Sequence, residues 1–194
     1  MDFYCQSPKL RKKQVTIHIG GLYASRNPVI IETVLGSCVA VCLYDEEAKI
    51  GGMNHILLPG KADMRRFDTA ARYGINAMEL LINRIMALGG CRDRIVAKVF
   101  GGAHVLPSIS LRNGMGAKNA EFVLEFLELE DFTVVSSDLG GHDTRRVYFH
   151  TDSGDVFLKR IPPTRCPNIA IQERRIVQKV RKETHEVGDI TFFG

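Results

Sequence analysis

The sequence lacks the features of a membrane or exported protein. It contains no apolar run near the roughly 20 residues that a membrane helix needs, and its start, MDFYCQSPKLRKKQ, has no apolar block like that of a secretory signal. We therefore expect a soluble, cytoplasmic protein without membrane insertion. With 45% hydrophobic and 25% charged residues among 194, the composition is that of an ordinary globular chain with one core.

Cysteine pairs and cofactor motifs are also missing. The five cysteines are odd in number and scattered, and the closest two, Cys38 and Cys42, do not form a CxxC motif, so we expect reduced thiols. The sequence has no HxxxH, HExxH, Walker or GxGxxG pattern. We therefore expect neither a metal ion nor an organic cofactor.

The net charge is small, at +4, but the basic residues concentrate at the two ends. Residues 1–13 form a basic extension, and residues 161–194 form a proline-containing linker and a basic tail. Between Lys159 and Lys182, eight basic residues accompany a single acidic one, Glu173. We interpret the tail as a solvated, partly helical extension, with docking to an acidic partner or a membrane surface as the alternative. Because no aromatic residues lie between its charges, we expect no nucleic-acid partner.

Residues 14–160 alternate short β-rich runs with two helical patterns, which predicts a single α/β or α+β domain with a mixed sheet. Eight runs rich in Val, Ile and Phe are typical of strands. They are Val15–Ile19, Val29–Val34, Val39–Tyr44, Ile50–Leu57, Arg94–Phe100, Phe132–Ser136, Arg146–His150 and Asp155–Lys159.

Both helices are predicted to be amphipathic. The first begins at Asp68 or Thr69 and ends at Leu88, and the second begins near Asn119, a good N-cap. The residues predicted to face the core are Ile75, Met78, Ile82, Ile85 and Met86 in the first helix, and Phe122, Val123, Phe126, Leu127 and Leu129 in the second.

A cysteine at a strand end is the strongest candidate for chemistry. Gly36 and Ser37 form a turn that places Cys38 at the start of an apolar strand. If the next connection is the four-residue loop 45–48, the register sets His55 directly opposite Cys38 on one face of the hairpin. A thiol beside an imidazole makes a nucleophile and a base, and acyl transfer is the chemistry that suits them.

Neighbouring residues are predicted to support this pair. Thr33 is placed to orient His55, and backbone N–H groups near Gly36 and Ser37 are placed to hold an oxyanion. Asn54 is a second candidate at the site, although it suits a local backbone contact equally well. The glycines Gly101 and Gly102 favour a turn or a substrate groove. The alternative interpretation of the whole set is a buried core cysteine near a structural histidine.

Five ordered blocks of this sequence resemble the CheD family of chemoreceptor glutamine deamidases, leaving both basic ends outside the match. The blocks are Thr33-x-Leu-Gly-Ser-Cys38-Val-Ala-Val, Gly51-Gly-Met-Asn-His55-Ile-Leu-Leu-Pro59, Lys98-Val-Phe-Gly-Gly-Ala103, Gly116-x-x-Asn119 and Asp138-x-Gly-Gly-x-x-x-Arg145-x-Val147.

The resemblance implies a three-layer α/β domain, similar to glutamine-deamidating bacterial toxins, and a catalytic triad of Cys38, His55 and Thr33. It implies hydrolysis of glutamine side chains on methyl-accepting chemoreceptors through a thioester, in chemotactic adaptation. A CheC-type phosphatase is the second implied partner. Two alternatives stay open at this point: a receptor glutamyl methylesterase that uses the same site, and a non-catalytic module that binds a phosphatase or receptor.

Overall fold

The computed structural model describes residues 12–104, 114–162 and 169–186. Within these ranges the chain forms two mixed β-sheets and three α-helices, with a 3-10 turn at Arg92–Arg94. The strands are β1 (Lys13–Thr16), β2 (Leu22–Ser25), β3 (Val29–Leu35), β4 (Val39–Asp45), β5 (Ile50–Ile56), β6 (Ile95–Gly101), β7 (Thr133–Leu139), β8 (Thr144–His150) and β9 (Val156–Ile161). The helices are α1 (Thr69–Ala87), α2 (Met115–Leu129) and α3 (Ile169–Glu186).

The molecule is built in three layers. One sheet has the order β1-β3-β8-β9 and the other the order β2-β5-β4-β6-β7. Since β1 pairs with β3, and β6 with β7, in parallel while the remaining pairs are antiparallel, both sheets are mixed. The predicted α+β fold with mixed β structure is confirmed, and the strands divide between two sheets.

Alternate residues of β4 serve two separate cores. Val39, Val41 and Leu43 pack with apolar residues of α1 and α2 in one core. Ala40 and Cys42 belong to a second core, between the two sheets, that includes residues of β3 and β8. Because successive residues of a strand point to opposite faces, the central strand β4 is buried on both sides, which fixes its position between the layers.

The predicted helices need two corrections. Helix α1 begins where expected, with the Asp68 carboxylate accepting a hydrogen bond from the Ala71 N–H at 2.8 Å. Helix α2 begins earlier than predicted, with Gly114 as its N-cap, so Asn119 is not a cap but a buried residue of the second turn. The predicted inward positions of Met86 and Leu129 are wrong: these side chains are 42% and 63% exposed. Both lie in the last turn of their helices.

The strand β2 was not predicted, because its four residues are flanked by polar and glycine residues and show no clear apolar pattern. It pairs with β5 at the sheet edge. The other strands lie within a few residues of their predicted positions. None of the helices in the described part of the chain is long and apolar enough to cross a membrane.

The register predicted for the β4–β5 hairpin is wrong by two residues. Asp45 pairs with Ile50, so Ala40 rather than Cys38 lies opposite His55. The loop begins one residue later than predicted because Asp45 still belongs to the strand, and it closes at Lys49, which has a φ of 54°. A shift of two residues keeps every side chain on its predicted face. Cys38 and His55 therefore still share a face, as diagonal neighbours.

A buried carboxylate stabilises this hairpin. Asp45 is fully buried and accepts hydrogen bonds from the backbone N–H groups of Glu47, Ala48 and Cys91 and from the Arg94 guanidinium. Burial alone would raise the pKa of Asp45, but the hydrogen bonds from Arg94 and from the backbone outweigh it. They lower the pKa of Asp45 from 3.8 to about 2.

We expect Asp45→Ala to lower the free energy of unfolding by about 2 to 4 kcal/mol, because it leaves several buried N–H groups unpaired. Urea unfolding measures the change, and Glu46→Ala, at the exposed neighbouring position, serves as the control with an effect within about 0.5 kcal/mol. Since the native pKa of Asp45 lies below the unfolded value, this stabilisation is present above about pH 4 and is lost as the pH falls further. Equal losses in the two variants would contradict this role.

Candidate active site

The site is built around the turn between β3 and β4. The carbonyl oxygen of Gly36 accepts a hydrogen bond from the Ala103 N–H at 2.9 Å, and that of Cys38 accepts one from the Gly102 N–H at 2.7 Å. This close approach requires glycine at position 101, where φ is +115° and a Cβ would lie 2.2 Å from the Cys38 oxygen. The turn is therefore held rigidly against the end of β6.

Helix α2 fixes the middle of the same turn through Asn119. Its side-chain N–H donates to the Ser37 carbonyl at 2.8 Å, and its side-chain oxygen accepts from the Leu58 N–H at 3.0 Å. Asn119 is fully buried. With the carbonyl oxygens of the turn engaged on one side, the N–H groups of Ser37 and Cys38 are left to face the opposite side.

His55 is held in one orientation by Thr33. The Thr33 hydroxyl donates to the Ile17 carbonyl at 2.8 Å, and its oxygen lies 2.7 Å from Nδ1 of His55. Because the single hydroxyl hydrogen is already used, Thr33 accepts a hydrogen bond from a protonated Nδ1. The lone pair of the neutral ring then lies on Nε2, which is buried and has no hydrogen-bond partner among the described residues.

The thiol of Cys38 lies on the same face of the sheet as the His55 ring. Cys38 precedes Ala40 by two residues, and Ala40 pairs with His55, so the two functional side chains are diagonal cross-strand neighbours, a relation within reach of long side chains. Cys38 is fully buried and His55 is 3% exposed. The thiol and the imidazole are therefore both buried on one face of the sheet, shielded from water.

A carboxylate from α3 occupies the space in front of the turn. Glu173 accepts hydrogen bonds from the Ser37 N–H (3.2 Å) and hydroxyl (2.6 Å), and from the Cys38 N–H (3.3 Å) and thiol (3.1 Å). Two backbone N–H groups and the Cys38 thiol thus converge on the oxygen atoms of one carboxyl group. Donors arranged in this way stabilise an oxyanion in acyl-transfer enzymes.

Burial keeps both reactive groups uncharged in this arrangement. Burial and the charge and hydrogen bond of Glu173 raise the pKa of the Cys38 thiol well above 9.0. Burial, with a smaller effect of the charge of His18, lowers the pKa of His55 from 6.5 to about 3. The closed site therefore holds a neutral thiol and a neutral imidazole.

The structure brings most of the sequence-predicted site residues together. Thr33, Gly36, Ser37, Cys38 and His55 surround one site, as the hydrogen bonds above describe.

Asn54, Gly101 and Gly102 are not part of the reacting surface. The Asn54 side chain lies on the opposite face of β5, where it accepts from the Val41 N–H and donates to the Ala77 carbonyl. Gly101 and Gly102 support the turn from behind. The His104 ring packs edge-on against the ring of His142.

Sequence reasoning missed two residues of the site. Asn119 was assigned to a cap, and its position within the helix gives no sign of its contact with Ser37. Glu173 did leave a signal: it is the single acidic residue between Lys159 and Lys182, and it shares a helical face with Ile169, Ile176 and Val177. An acidic residue within an apolar face is expected to have a specific buried partner.

Comparison with known proteins assigns the chain to a family. A family model described as CheD chemotactic sensory transduction matches residues 57–160. The chain is 43% identical over 186 residues to a Shewanella oneidensis protein named probable chemoreceptor glutamine deamidase CheD 1, with 94% of this chain and 89% of that protein covered. A protein of the same name from Dechloromonas aromatica is 43% identical over 175 residues, with 90% and 86% covered. The chain belongs to the CheD family.

The pairwise alignments extend beyond the family model. Because the Shewanella alignment covers 94% of this chain, the similarity extends well into the C-terminal basic segment. The family model, by contrast, ends at residue 160, close to the end of the predicted blocks. A Vibrio vulnificus protein named probable chemoreceptor glutamine deamidase CheD, 37% identical over 182 residues, likewise aligns with 90% of this chain.

We expect the NMR signals of the His55 ring to stay constant from about pH 8 to about pH 5, where an ordinary imidazole becomes protonated. The nitrogen shifts should report a proton on Nδ1.

Thr33→Val removes the acceptor of that proton and should lower the free energy of unfolding by about 1 to 3 kcal/mol. Since the native pKa of His55 is below its unfolded value, its stabilising contribution is lost as the pH falls below about 6.5. A titration of His55 near pH 6.5 in the intact protein would contradict the buried, neutral ring.

Proposed function

We propose that this protein is a cysteine-dependent protein-glutamine deamidase of methyl-accepting chemoreceptors. The observation that carries the proposal is the convergence of the Ser37 and Cys38 N–H groups and the Cys38 thiol on one carboxyl group. A carboxyl group is what hydrolysis of a glutamine side chain produces. The names of the relatives, all chemoreceptor glutamine deamidases, support the choice of substrate.

The first half of the reaction forms a thioester. Nε2 of His55 takes the thiol proton of Cys38, and the sulfur attacks the carboxamide carbon of the glutamine side chain. The developing oxyanion accepts hydrogen bonds from the N–H groups of Ser37 and Cys38. The imidazolium then returns its proton to the nitrogen, the C–N bond breaks, and ammonia leaves. Thr33 keeps Nε2 directed at the reacting atoms by holding Nδ1.

The second half of the reaction releases glutamate. A water molecule enters, His55 takes one of its protons, and the oxygen attacks the thioester carbon under the same two N–H groups. The C–S bond breaks, and the proton on His55 restores the Cys38 thiol. The net change is one water consumed, one ammonia released, and one glutamine converted to glutamate on the receptor.

The product changes the charge of its substrate. Cytoplasmic domains of chemoreceptors are long coiled coils, and each new glutamate adds a negative charge that biases their signalling equilibrium. We place this activity in the cytoplasm and in chemotactic adaptation.

A CheC-type phosphatase is proposed as a second partner on the family resemblance alone. The division into a basic extension (1–13), a catalytic domain (14–160) and a C-terminal linker and tail (161–194) is likewise proposed.

We expect Cys38→Ala to lower the rate of receptor deamidation by about a thousandfold or more, because it removes the atom that forms the thioester. The matched control is Cys42→Ala, since Cys42 lies on the same face of β4 and is equally buried but does not contact Glu173 in the described structure. Receptor cytoplasmic fragments are incubated with each protein, and their peptides are analysed by mass spectrometry for conversion of glutamine to glutamate.

The same samples distinguish the alternatives. Ammonia release in step with glutamate formation is expected, whereas methanol release from methylated fragments without ammonia would indicate an esterase. Equal deamidation by the native protein and by Cys38→Ala would contradict the proposed nucleophile. Receptor binding without any conversion would indicate a binding module.

A further inference from the structure

Helix α3 lies across the mouth of the active site. Ile169, Glu173 and Ile176, spaced by one turn of the helix, line one wall of a groove of about 210 Å³. The opposite wall includes Ile17, His18 and the ring of His55. The apolar members of α3 reach the second core: Val177 is 7% exposed, and Ile176 packs beside it. Substrate cannot reach the thiol while α3 occupies this position.

The Glu173 carboxylate is held by hydrogen bonds from the turn at Ser37 and Cys38 rather than by a positively charged partner. Its side chain is only 5% exposed, and none of the ion pairs among the described residues includes it. A buried carboxylate is costly unless hydrogen-bond donors satisfy it. Here every donor that the structure gives it comes from Ser37 and Cys38, which are the residues of the oxyanion site itself.

The turn also has the shape to receive this helix. A Cβ at Gly36 would lie 2.7 Å from a Glu173 carboxylate oxygen and 2.7 Å from a methyl carbon of Ile169. The absence of a side chain at Gly36 therefore lets α3 approach the thiol closely. Arg174 and Arg175 face solvent. The helix therefore contacts the site through the face that carries Glu173.

We propose that α3 is a tethered product mimic that closes the active site until receptor or another partner displaces it. This inference rests on the proposed function, because a glutamate side chain at the thiol is the product of that reaction. A tethered segment competes at an effective concentration in the millimolar range. The apparent affinity for substrate is the intrinsic affinity multiplied by the fraction of molecules in which α3 is displaced. Displacement also admits water and removes the Glu173 charge, so the thiol becomes reactive as the site opens.

The first test measures access to the thiol and needs no substrate. The full-length protein is treated with iodoacetamide, and modification of Cys38 is followed by peptide mapping. We expect Glu173→Ala to react at least about tenfold faster than the native protein, since it removes both a cover and a negative charge. Ile176→Asp, which disrupts the apolar contact of α3, should act in the same direction. Gln178→Ala, an exposed position of the same helix, is the matched control and should react at the native rate.

Equal rates for the native protein, Glu173→Ala and Ile176→Asp would overturn the closure of the site by α3. Circular dichroism and thermal unfolding establish that each variant is folded. Because alkylation does not depend on deamidase activity, this result stands whether or not receptors are deamidated.

The second test asks whether Glu173 occupies the position of the reaction product. In Glu173→Gln the helix presents a carboxamide to Cys38, so we expect the protein to convert the introduced glutamine to glutamate within its own chain. The conversion should be first-order, independent of protein concentration, and absent when Cys38→Ala is combined with it. The natural residues Gln172 and Gln178 of the same helix serve as internal controls and should remain unchanged.

Peptide mass spectrometry over hours follows the conversion. Loss of the introduced amide would support the product mimic. Persistence of that amide in a protein that deamidates receptor fragments would overturn it. Persistence with no receptor conversion either would mark the failure of the proposed function, and the alkylation rates would still decide whether α3 closes the site.

Discussion

The turn from Gly36 to Cys38 is the constraint on which the rest of the molecule depends. Two backbone N–H groups can hold an oxyanion only if the carbonyl groups of the same turn are engaged elsewhere and the peptide planes cannot rotate. Each layer of the fold contributes to this. The end of β6 binds two carbonyl groups, and Asn119 of α2 binds the third. The central strand β4, buried on both faces, fixes where Cys38 begins.

Much of the site could be predicted from sequence because strand periodicity fixes faces more firmly than it fixes register. The shared face of Cys38 and His55 was predicted correctly even though their pairing was wrong by two residues. The register error has a local cause, since the Asp45 carboxylate caps the loop while its backbone remains in the strand. The contact of Asn119 with the turn joins residues far apart in the chain, and local patterns carry no information about such contacts.

The C-terminal helix shows a different limit of sequence reasoning. Composition identifies residues 161–194 as basic, and a solvated extension is the usual structure for such a segment. One acidic residue changes that interpretation, because Glu173 and its apolar neighbours attach the helix to the core. Burial keeps both the thiol and the imidazole uncharged, and Glu173 raises the pKa of the thiol further while it occupies the N–H groups of Ser37 and Cys38. Catalytic power and its suppression therefore depend on the same pair of N–H groups.

The most direct test of the central claim, a thioester on Cys38 under these N–H groups, is trapping with hydroxylamine during receptor deamidation. Hydroxylamine attacks thioesters readily, so an acyl-enzyme would yield a glutamyl hydroxamate at the receptor glutamine in competition with water. We expect hydroxamate that increases with hydroxylamine concentration at the expense of glutamate, and only at glutamines that the enzyme converts. Glutamate alone, formed at an undiminished rate at every concentration, would show that water attacks the carboxamide directly and that no thioester forms on Cys38.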